Sequence, residues 1–229
     1  ENYYSTRLNE LGGSSNAYTD VMETVYYFNV YDNGLEEIFD IFSRFFIDPL
    51  FKSNSIDREI NAIDSEHKKN INQDIWRKDY LIRKLNDKKS QTNNFSTGSL
   101  NSLKKPDIRK QLLDFYNKYY TSNNISISIL SSKPIKEIYN IIEKTFGYIV
   151  NSSSSNNITI SKPFLTENLG KTFHLKSLIN IYEVTWIWEI PCQDMYLNSK
   201  DFDILRLIII NKSENSIYFN LMNKGFLNY

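Results

Sequence analysis

The stretch "TVYYFNVYDNGLEEIFDIFSRFF", residues 24–46, predicts a strand that turns into a helix. Residues 24–31 are dense in β-branched and aromatic side chains, which favour strands, and residues 32–34 supply the turn. From Leu35 onward the apolar residues recur at spacings of three and four, the pattern of an amphipathic helix. A strand followed directly by such a helix indicates a sheet covered by helices.

The pattern continues downstream with further helices and another strand. It predicts a long helix after Pro49 that reaches Leu85, a polar loop over residues 90–105, a helix after Pro106 and a half-buried strand over residues 124–130. The stretch "KPIKEIYNIIEKTF" then predicts an amphipathic helix. This order of elements is typical of an α+β layer fold.

The serine-rich tract at residues 151–157 has no apolar face to bury and predicts a linker. Beyond it, "LINIYEVTWIWEIP" predicts a long strand with Trp186 and Trp188 on its core face, and two helices follow. We therefore expect a two-layer sandwich, a mostly antiparallel sheet covered by helices. A near-complete domain would occupy residues 1–160, and part of a second, related domain residues 161–229.

The composition disfavours some classes of partner. Of the 229 residues, 41% are hydrophobic and 24% are charged, which is ordinary for a globular chain and argues against disorder. Lys+Arg and Asp+Glu are balanced at 27 each, so nothing favours a nucleic acid or an anionic membrane surface. The single cysteine, Cys192, cannot form an internal disulfide, and we expect it to be a small buried hydrophobe.

No targeting or membrane signal is visible in the sequence. It shows no basic segment followed by an apolar run, so no signal peptide is expected and the cytoplasm is the default compartment. A run of about twenty apolar residues, which a membrane span requires, does not occur either. We expect no membrane span within this stretch.

The helix predicted after Pro49 carries two glutamates, Glu59 and Glu66, along the edge of its apolar stripe. At about 100° per residue, they lie within roughly 20° of each other and roughly 80° from the centre of the stripe. Spacing alone favours solvated carboxylates, and a metal ligand with a supporting carboxylate is the alternative. The stripe itself consists of Ile56, Ile60, Ile63, His67 and Ile71.

Three blocks of sequence carry a resemblance to a known family. The blocks "ELGGSSNAYTDVMETVYYFNV", "LEEIFDIFSRFFIDPLF" and "DREINAIDSEHKKNINQDIWR" occur in this order and at close spacing. Together they closely resemble the insulinase/pitrilysin family of zinc peptidases, the inverzincins. The resemblance covers nearly the whole chain, strongly from Glu10 to Arg77, and implies an insulinase/mitochondrial-processing-peptidase-like fold.

The resemblance implies a zinc site to which this chain contributes one part. In that family, two histidines of an inverted H-x-x-E-H motif and a glutamate from a later helix hold the metal. Glu66 matches this third ligand, and Glu59 matches the supporting glutamate of the catalytic site, which hydrogen-bonds the histidines. His67 and His174 are the only histidines and match neither motif position; we expect His67 to be packed or hydrogen-bonded and His174 to begin a strand.

No H-x-x-E-H occurs here, and in the resembled family it stands further upstream than the 65 residues before Glu66. We therefore expect the motif on polypeptide that precedes residue 1. A catalytic zinc requires three protein ligands, so this chain alone is expected neither to hold Zn²⁺ tightly nor to hydrolyse peptides.

The stretch "GGSSNAYT", residues 12–19, carries a second implication of the resemblance. In the family this is an edge strand beside the zinc, where Ser15, Asn16, Ala17 and Tyr18 would contact an extended peptide substrate. Strand addition uses main-chain hydrogen bonds, and the small residues here would allow close approach. Without the resemblance, a glycine-serine turn into a strand would be the simpler interpretation.

Three hypotheses follow. The leading one is the amino-terminal portion of a zinc metalloendopeptidase that cuts extended peptides together with the remaining C-terminal half of the same chain. The alternative is a non-catalytic scaffold or partner subunit of the same fold. A nucleic-acid or peptide adaptor is the third, and the balanced charge disfavours its nucleic-acid form.

Overall fold

The computed structural model describes residues 2–88, 92–152, 164–190 and 198–227. Its strands and α-helices, in chain order, are α1 (Tyr3–Glu10), β1 (Ser14–Thr19), β2 (Thr24–Asn29), α2 (Leu35–Ile47), α3 (Ser53–Asn70), α4 (Asp74–Lys84), α5 (Leu100–Leu103), α6 (Ile108–Tyr119), α7 (Ile135–Phe146), α8 (Asp201–Ile210) and α9 (Ile217–Asn223). Short 3-10 turns lie at Asp32–Gly34, Ser122–Asn124 and Thr166–Asn168.

The two strands form an antiparallel hairpin. Its register runs from the pair Ser14 and Asn29 to the pair Thr19 and Thr24. The connecting turn is closed by the Asp20 N–H, which donates to the Glu23 carbonyl oxygen at 2.8 Å.

Two glycines make the turn from α1 into β1 possible. Gly12 has φ +72°, a left-handed conformation that a residue with a side chain adopts only at a cost. A methyl group at Gly13 would collide with the Leu8 side chain and the Asn29 carbonyl oxygen. The close approach that these glycines allow is therefore internal to the hairpin and α1.

The core lies between the hairpin, α2 and α7. Its buried residues are Leu35, Phe39, Phe46, Ile141 and Phe146. The Phe46 ring contacts several aromatic rings, with centroid distances of 5.3 Å to Tyr26 and 5.8 Å to Phe146. Burial of the apolar face of α2, predicted from its periodicity, is confirmed.

The long helix predicted to reach Leu85 is two helices. α3 ends at Asn70 and α4 begins at Asp74, because Gln73 adopts an extended conformation with φ −124° and ψ 130°. The predicted loop over residues 90–105 contains the four-residue α5, whose first turn is capped by the Ser99 side chain. Capping and backbone geometry, rather than apolar spacing, decide both differences.

Two predicted strands are wrong. Neither residues 124–130 nor residues 178–190 form a strand with any described part of the chain. Trp186 and Trp188, predicted to face a core, are 67% and 74% exposed. An alternating pattern shows which side chains share a face, but a strand also requires a hydrogen-bonded neighbour.

The α+β class is confirmed, with helices packed on a small antiparallel sheet in the described residues. By contacts within the chain, residues 1–180 form one compact unit and residues 181–229 another. The predicted domain boundary after residue 160 and most of the predicted linker lie outside the described residues, as does Cys192. None of the described helices is long and apolar enough to cross a membrane.

Candidate functional site

Glu59 and Glu66 lie on the same face of α3, and both are exposed to solvent. Seven residues of helix separate their Cα atoms by about 10 Å along the axis. Neither carboxylate accepts a hydrogen bond or forms an ion pair within the described part of the chain. Both are therefore open to an additional ligand.

The adjacent side of α3, about a quarter turn around the helix from the two glutamates, is buried. Ile56 and Ile60 are buried, as the apolar stripe predicts, but Ile71 at the end of the stripe is 41% exposed. Asp64, which is not part of the apolar stripe, is buried on this side, at 7% exposure. A buried carboxylate requires partners, and α3 provides one of them.

Asp64 joins the amino-terminal end of α5 to α3. Its Oδ2 accepts a hydrogen bond from the Lys68 ammonium at 2.7 Å, and its Oδ1 accepts one from the Leu100 N–H, also at 2.7 Å. These two donors hold the pKa of the Asp64 carboxyl below its usual range, although its burial acts in the opposite direction. The charge is thereby satisfied at the amino-terminal end of a short helix.

His67 makes a second attachment, to the loop before α5. Its Nδ1 lies 3.1 Å from the Thr97 hydroxyl, and its ring meets the Phe95 ring edge-on at 4.9 Å. Phe95 also packs against Tyr80 of α4 at 5.3 Å. The prediction that His67 is packed or hydrogen-bonded is confirmed, and the attachments leave Glu66 pointing outward on a fixed helix. His174, predicted to begin a strand, is exposed and lies in none.

Periodicity alone missed Asp64 and Thr97 as anchors of α3. Asp64 lies four residues after Ile60, on the buried side, so a search for charges at stripe positions would have found it. Thr97 carries no comparable signal, because its role depends on how the loop folds back.

Strand β1 has an open edge, because β2 is its only neighbour in the described residues. The Asp20 N–H donates to Glu23, so these two residues form a hydrogen-bonded pair at the end of the ladder. Alternation along an antiparallel ladder then directs the backbone groups of Ser15, Ala17 and Thr19 away from β2. The Thr19 and Thr24 hydroxyls lie 3.2 Å apart, as expected of a non-hydrogen-bonded pair.

The predicted substrate residues therefore fall into two classes. Ser15 and Ala17 present backbone N–H and C=O groups at the open edge, whereas Asn16 and Tyr18 direct theirs toward β2. The side chains of Asn16 and Tyr18 lie on the face of the sheet opposite Phe28, which packs on α2. All six residues of β1 are exposed.

One outward group of β1 is already occupied. The Ala17 N–H donates to Oδ1 of the neighbouring Asn16 at 2.8 Å. The distance is that of an ordinary N–H···O hydrogen bond.

The described residues contain no group of three or more His, Cys, Asp or Glu side chains that could hold a metal ion. A glutamate oxygen is a ligand that zinc accepts, and catalytic zinc requires three protein ligands. Glu66 therefore fits as one ligand, and the described residues do not complete a site by themselves.

Comparison with known protein families decides the ancestry. Residues 1–89 match the family described as Insulinase (Peptidase family M16), and residues 107–229 match the family described as Peptidase M16 inactive domain. The chain belongs to peptidase family M16. The resemblance inferred from the three sequence blocks is confirmed.

Individual relatives of this M16 chain cover it almost completely. It is 33% identical over 234 residues to the insulin-degrading enzyme of Bos taurus and 31% identical over 234 residues to the A-factor-processing enzyme of Saccharomyces cerevisiae. Both alignments cover 100% of this chain and 23% of the relative, so the chain spans about a quarter of these proteins.

A third relative and a solved structure agree with this assignment. A protein of Schizosaccharomyces pombe whose name marks it as a candidate zinc protease is 35% identical over 199 residues, which are 84% of this chain and 20% of that protein. The crystal structure of pitrilysin matches with a TM-score of 0.75 at 22% identity, over 97% of this chain and 24% of that one. At this identity the structural match shows the fold, which is that of pitrilysin.

Proposed function

We propose that this M16 chain is part of a zinc-dependent metalloendopeptidase that hydrolyses extended peptides. The observation that carries the proposal is the pair Glu59 and Glu66, exposed and unpartnered among the described residues on one face of α3. Relatives named for degrading insulin and for processing A-factor support a peptide substrate.

In this proposal Glu66 supplies one negatively charged oxygen ligand to Zn²⁺. Glu59, on the same helix face, accepts hydrogen bonds from the histidine ligands and fixes their orientation. The contacts of Asp64 with α5 and of His67 with the loop before it hold α3 in place, so that the backbone that carries Glu66 does not have to be ordered when metal binds. When bound, zinc would lower the pKa of its water to about 7 and polarise the scissile carbonyl.

The open edge of β1 would receive the peptide. Ser15, Ala17 and Thr19 offer backbone donors and acceptors in a row, and a peptide strand can pair with them whatever its side chains are. Asn16 and Tyr18 would contact the substrate through their side chains. This division explains how one strand could bind many extended sequences.

The chain by itself is expected to be inactive. One carboxylate ligand does not hold a catalytic zinc, so the two histidines and the general base must come from polypeptide other than the described residues. The remaining part of the longer protein is accordingly a required partner in this proposal.

The test uses the full-length protein and three substitutions in α3. Glu66→Gln removes the proposed ligand, and Glu59→Gln removes the proposed support. Asp57→Asn is the matched control, because Asp57 is also exposed on α3 but lies about 180° around the helix from Glu66. Zinc content is measured by mass spectrometry, and cleavage with an internally quenched peptide.

We expect the wild-type protein and Asp57→Asn to hold one zinc and cleave the peptide. Glu66→Gln should lose most of its zinc. Glu59→Gln should weaken zinc binding about 10- to 100-fold, the usual effect of removing a group that hydrogen-bonds a metal ligand. Full zinc and full activity in Glu66→Gln would refute the assignment of the ligand.

A non-catalytic scaffold is the second candidate. It is favoured by the description of the family that matches residues 107–229, an inactive domain. In this case the wild-type full-length protein would hold substoichiometric zinc and would not cleave the peptide. The three variants would show the same absence of cleavage.

A further inference from the structure

The edge of β1 lacks the usual protection against unwanted pairing. Open strand edges are commonly blunted by charged side chains, proline or a bulge. The sequence of β1, "SSNAYT", contains no charge and no proline, and its register with β2 is continuous over all six pairs. The backbone groups of this edge can therefore be examined for a different kind of protection.

The hydrogen bond from the Ala17 N–H to Asn16 Oδ1 is placed to limit pairing along this edge. Ala17 is the middle one of the three residues whose backbone faces outward, between Ser15 and Thr19. A peptide strand that pairs with Ala17 in antiparallel orientation must accept its N–H and donate to its C=O. The N–H is already in use, at 2.8 Å.

We propose that the Asn16 side chain is a latch on this edge, which a peptide must displace before it can pair with Ala17. The latch is the single bond between Ala17 N–H and Asn16 Oδ1, and it makes Asn16 a determinant of which peptides bind. The inference rests on the proposed function, because it assigns a role to Asn16 within the peptide-binding strand.

The latch alters the energetics of strand addition in a definite way. In the wild-type chain the carbonyl of the incoming peptide replaces Asn16 Oδ1 as the acceptor of the Ala17 N–H. The number of hydrogen bonds at this position stays the same, so little binding free energy is gained. Without the Asn16 oxygen, the same carbonyl adds a net hydrogen bond, which is worth roughly a two- to tenfold change in affinity. Peptides that form good hydrogen bonds elsewhere along the edge would bind despite the latch, and peptides that pair weakly would not.

The position of Asn16 allows the side chain to be displaced without disturbing the core. Its side chain lies on the sheet face opposite Phe28 and α2, and it is exposed. Releasing the bond therefore requires only a rotation of one side chain in solvent. Once released, its amide could donate to or accept from the bound peptide.

The first experiment measures the latch directly, without substrate or metal. Amide hydrogen exchange of this chain is followed by NMR, and each rate is corrected for the intrinsic rate of its sequence. We expect the Ala17 amide to become roughly two- to tenfold less protected in Asn16→Ala. In Asn16→Asp its protection should rise, since a carboxylate accepts a stronger hydrogen bond.

Asn72→Ala is the matched control. Its amide donates to the Lys68 carbonyl at 2.8 Å, so the same substitution removes a local side-chain bond at another site. The Ala17 amide should exchange in this variant as in the wild type. Unchanged Ala17 protection in Asn16→Ala would overturn the latch.

The second experiment measures peptide addition. The probe is a fluorescein-labelled octapeptide of alternating valine and threonine, and its N-methylated analogue, which cannot pair, is the negative control. Affinity for this chain should increase in the order Asn16→Asp, wild type, Asn16→Ala, by roughly two- to tenfold at the last step.

The outcomes separate the latch from the proposed function. Equal binding to the wild type and Asn16→Ala would overturn the latch while leaving the peptide edge intact. Weaker binding to Asn16→Ala would show that Asn16 holds the peptide instead of opposing it, and would also overturn the latch. Failure of the probe to bind any form would count against strand addition, and the latch would fall with it.

Discussion

The two compact units of this chain differ in whether the apolar residues of their helices are buried. In residues 1–180, α2 buries Ile38 and Phe39 to 0% and 5% exposure. In residues 181–229, α8 is at least as apolar, yet Leu207 and Ile208 are 63% and 62% exposed. Both helices were predicted from sequence, so the difference lies in what covers them.

The comparison teaches that helix formation and core formation are separate properties of a sequence. The apolar face of α2 meets β2 and α7, and tertiary packing supplies most of the stability of such a helix. None of the described residues from 181 onward is buried. The first unit should therefore carry the folding stability of this chain, and substitutions can test this division.

The largest effect is expected from Phe46→Ala. The Phe46 ring is 8% exposed and packs among four other rings at 5.3 to 6.3 Å, so truncation should cost about 3–5 kcal/mol in free energy of unfolding. Urea unfolding followed by circular dichroism measures it. Phe45→Ala is the control on the same helix, since Phe45 is 44% exposed and should cost much less. Equal losses would mean that the first unit has no distinct core.

Substitution of Asp74 tests the contribution of contacts outside the core to the stability of the first unit. Burial raises the pKa of its carboxyl, but the Leu178 and Ile179 N–H groups and Arg77 lower it by more, and the net shift is downward. Because this pKa is lowered, the ionised Asp74 carboxylate stabilises the folded chain above about pH 4. This contribution to the free energy of unfolding is lost as the pH falls through the folded-state pKa.

Thermal unfolding of wild type and Asp74→Asn at pH 7, 5, 4 and 3 measures that contribution. The wild type should melt at a higher temperature at pH 7, and the two proteins should converge as the pH falls. A constant difference across this range would show that the charge of Asp74 is not what matters.

Substitution of Tyr120 tests the hydrogen bond between Tyr26 of the hairpin and Tyr120, the residue that follows α6. Its hydroxyl lies 2.6 Å from that of Tyr26, and removing it in Tyr120→Phe should cost about 1 kcal/mol. Chemical unfolding of Tyr120→Phe, Tyr26→Phe and the double variant forms a cycle that isolates this bond. If the two single losses simply add, the hydroxyls do not interact.

The same pair predicts a dependence on alkaline pH. Burial, followed by the hydrogen bond with Tyr26, raises the pKa of the Tyr120 hydroxyl. The stability that its neutral form provides is complete below about pH 10 and should be lost as the pH rises through the folded-state value. Wild type should therefore lose stability more steeply than Tyr120→Phe between pH 9 and 11 in equilibrium unfolding.

The smallest effect is expected in the second unit. Leu207→Gln on α8 should change the unfolding free energy of this chain by less than about 0.5 kcal/mol, because the side chain is already in solvent. A loss of several kcal/mol by urea unfolding would show that α8 is covered in solution. The same substitution in the full-length protein would sharpen the comparison, since any added loss there measures the contribution of the remaining polypeptide.

The sequence predicted features that depend on neighbours along the chain. The helix predicted over Leu35 to Phe46 is observed as Leu35–Ile47, because an apolar face recurs locally. The shared face of Glu59 and Glu66 follows from the helical repeat alone, and the structure places both there in solvent. Whether Glu66 binds zinc is still a prediction.

What the sequence could not predict depends on partners distant in the chain or on side-chain rotation. Residues 124–130 alternate like a strand but have no described neighbour with which to pair. The burial of Asp64 depends on the Leu100 N–H, 36 residues away. The Asn16 bond depends on one rotamer, and periodicity has no information about it.

Gly13 has a mechanical consequence. Because a Cβ atom at Gly13 would meet the Leu8 side chain and the Asn29 carbonyl oxygen, no larger residue fits between α1 and the hairpin at this point. We therefore expect a displacement of α1 to displace the start of β1 as well.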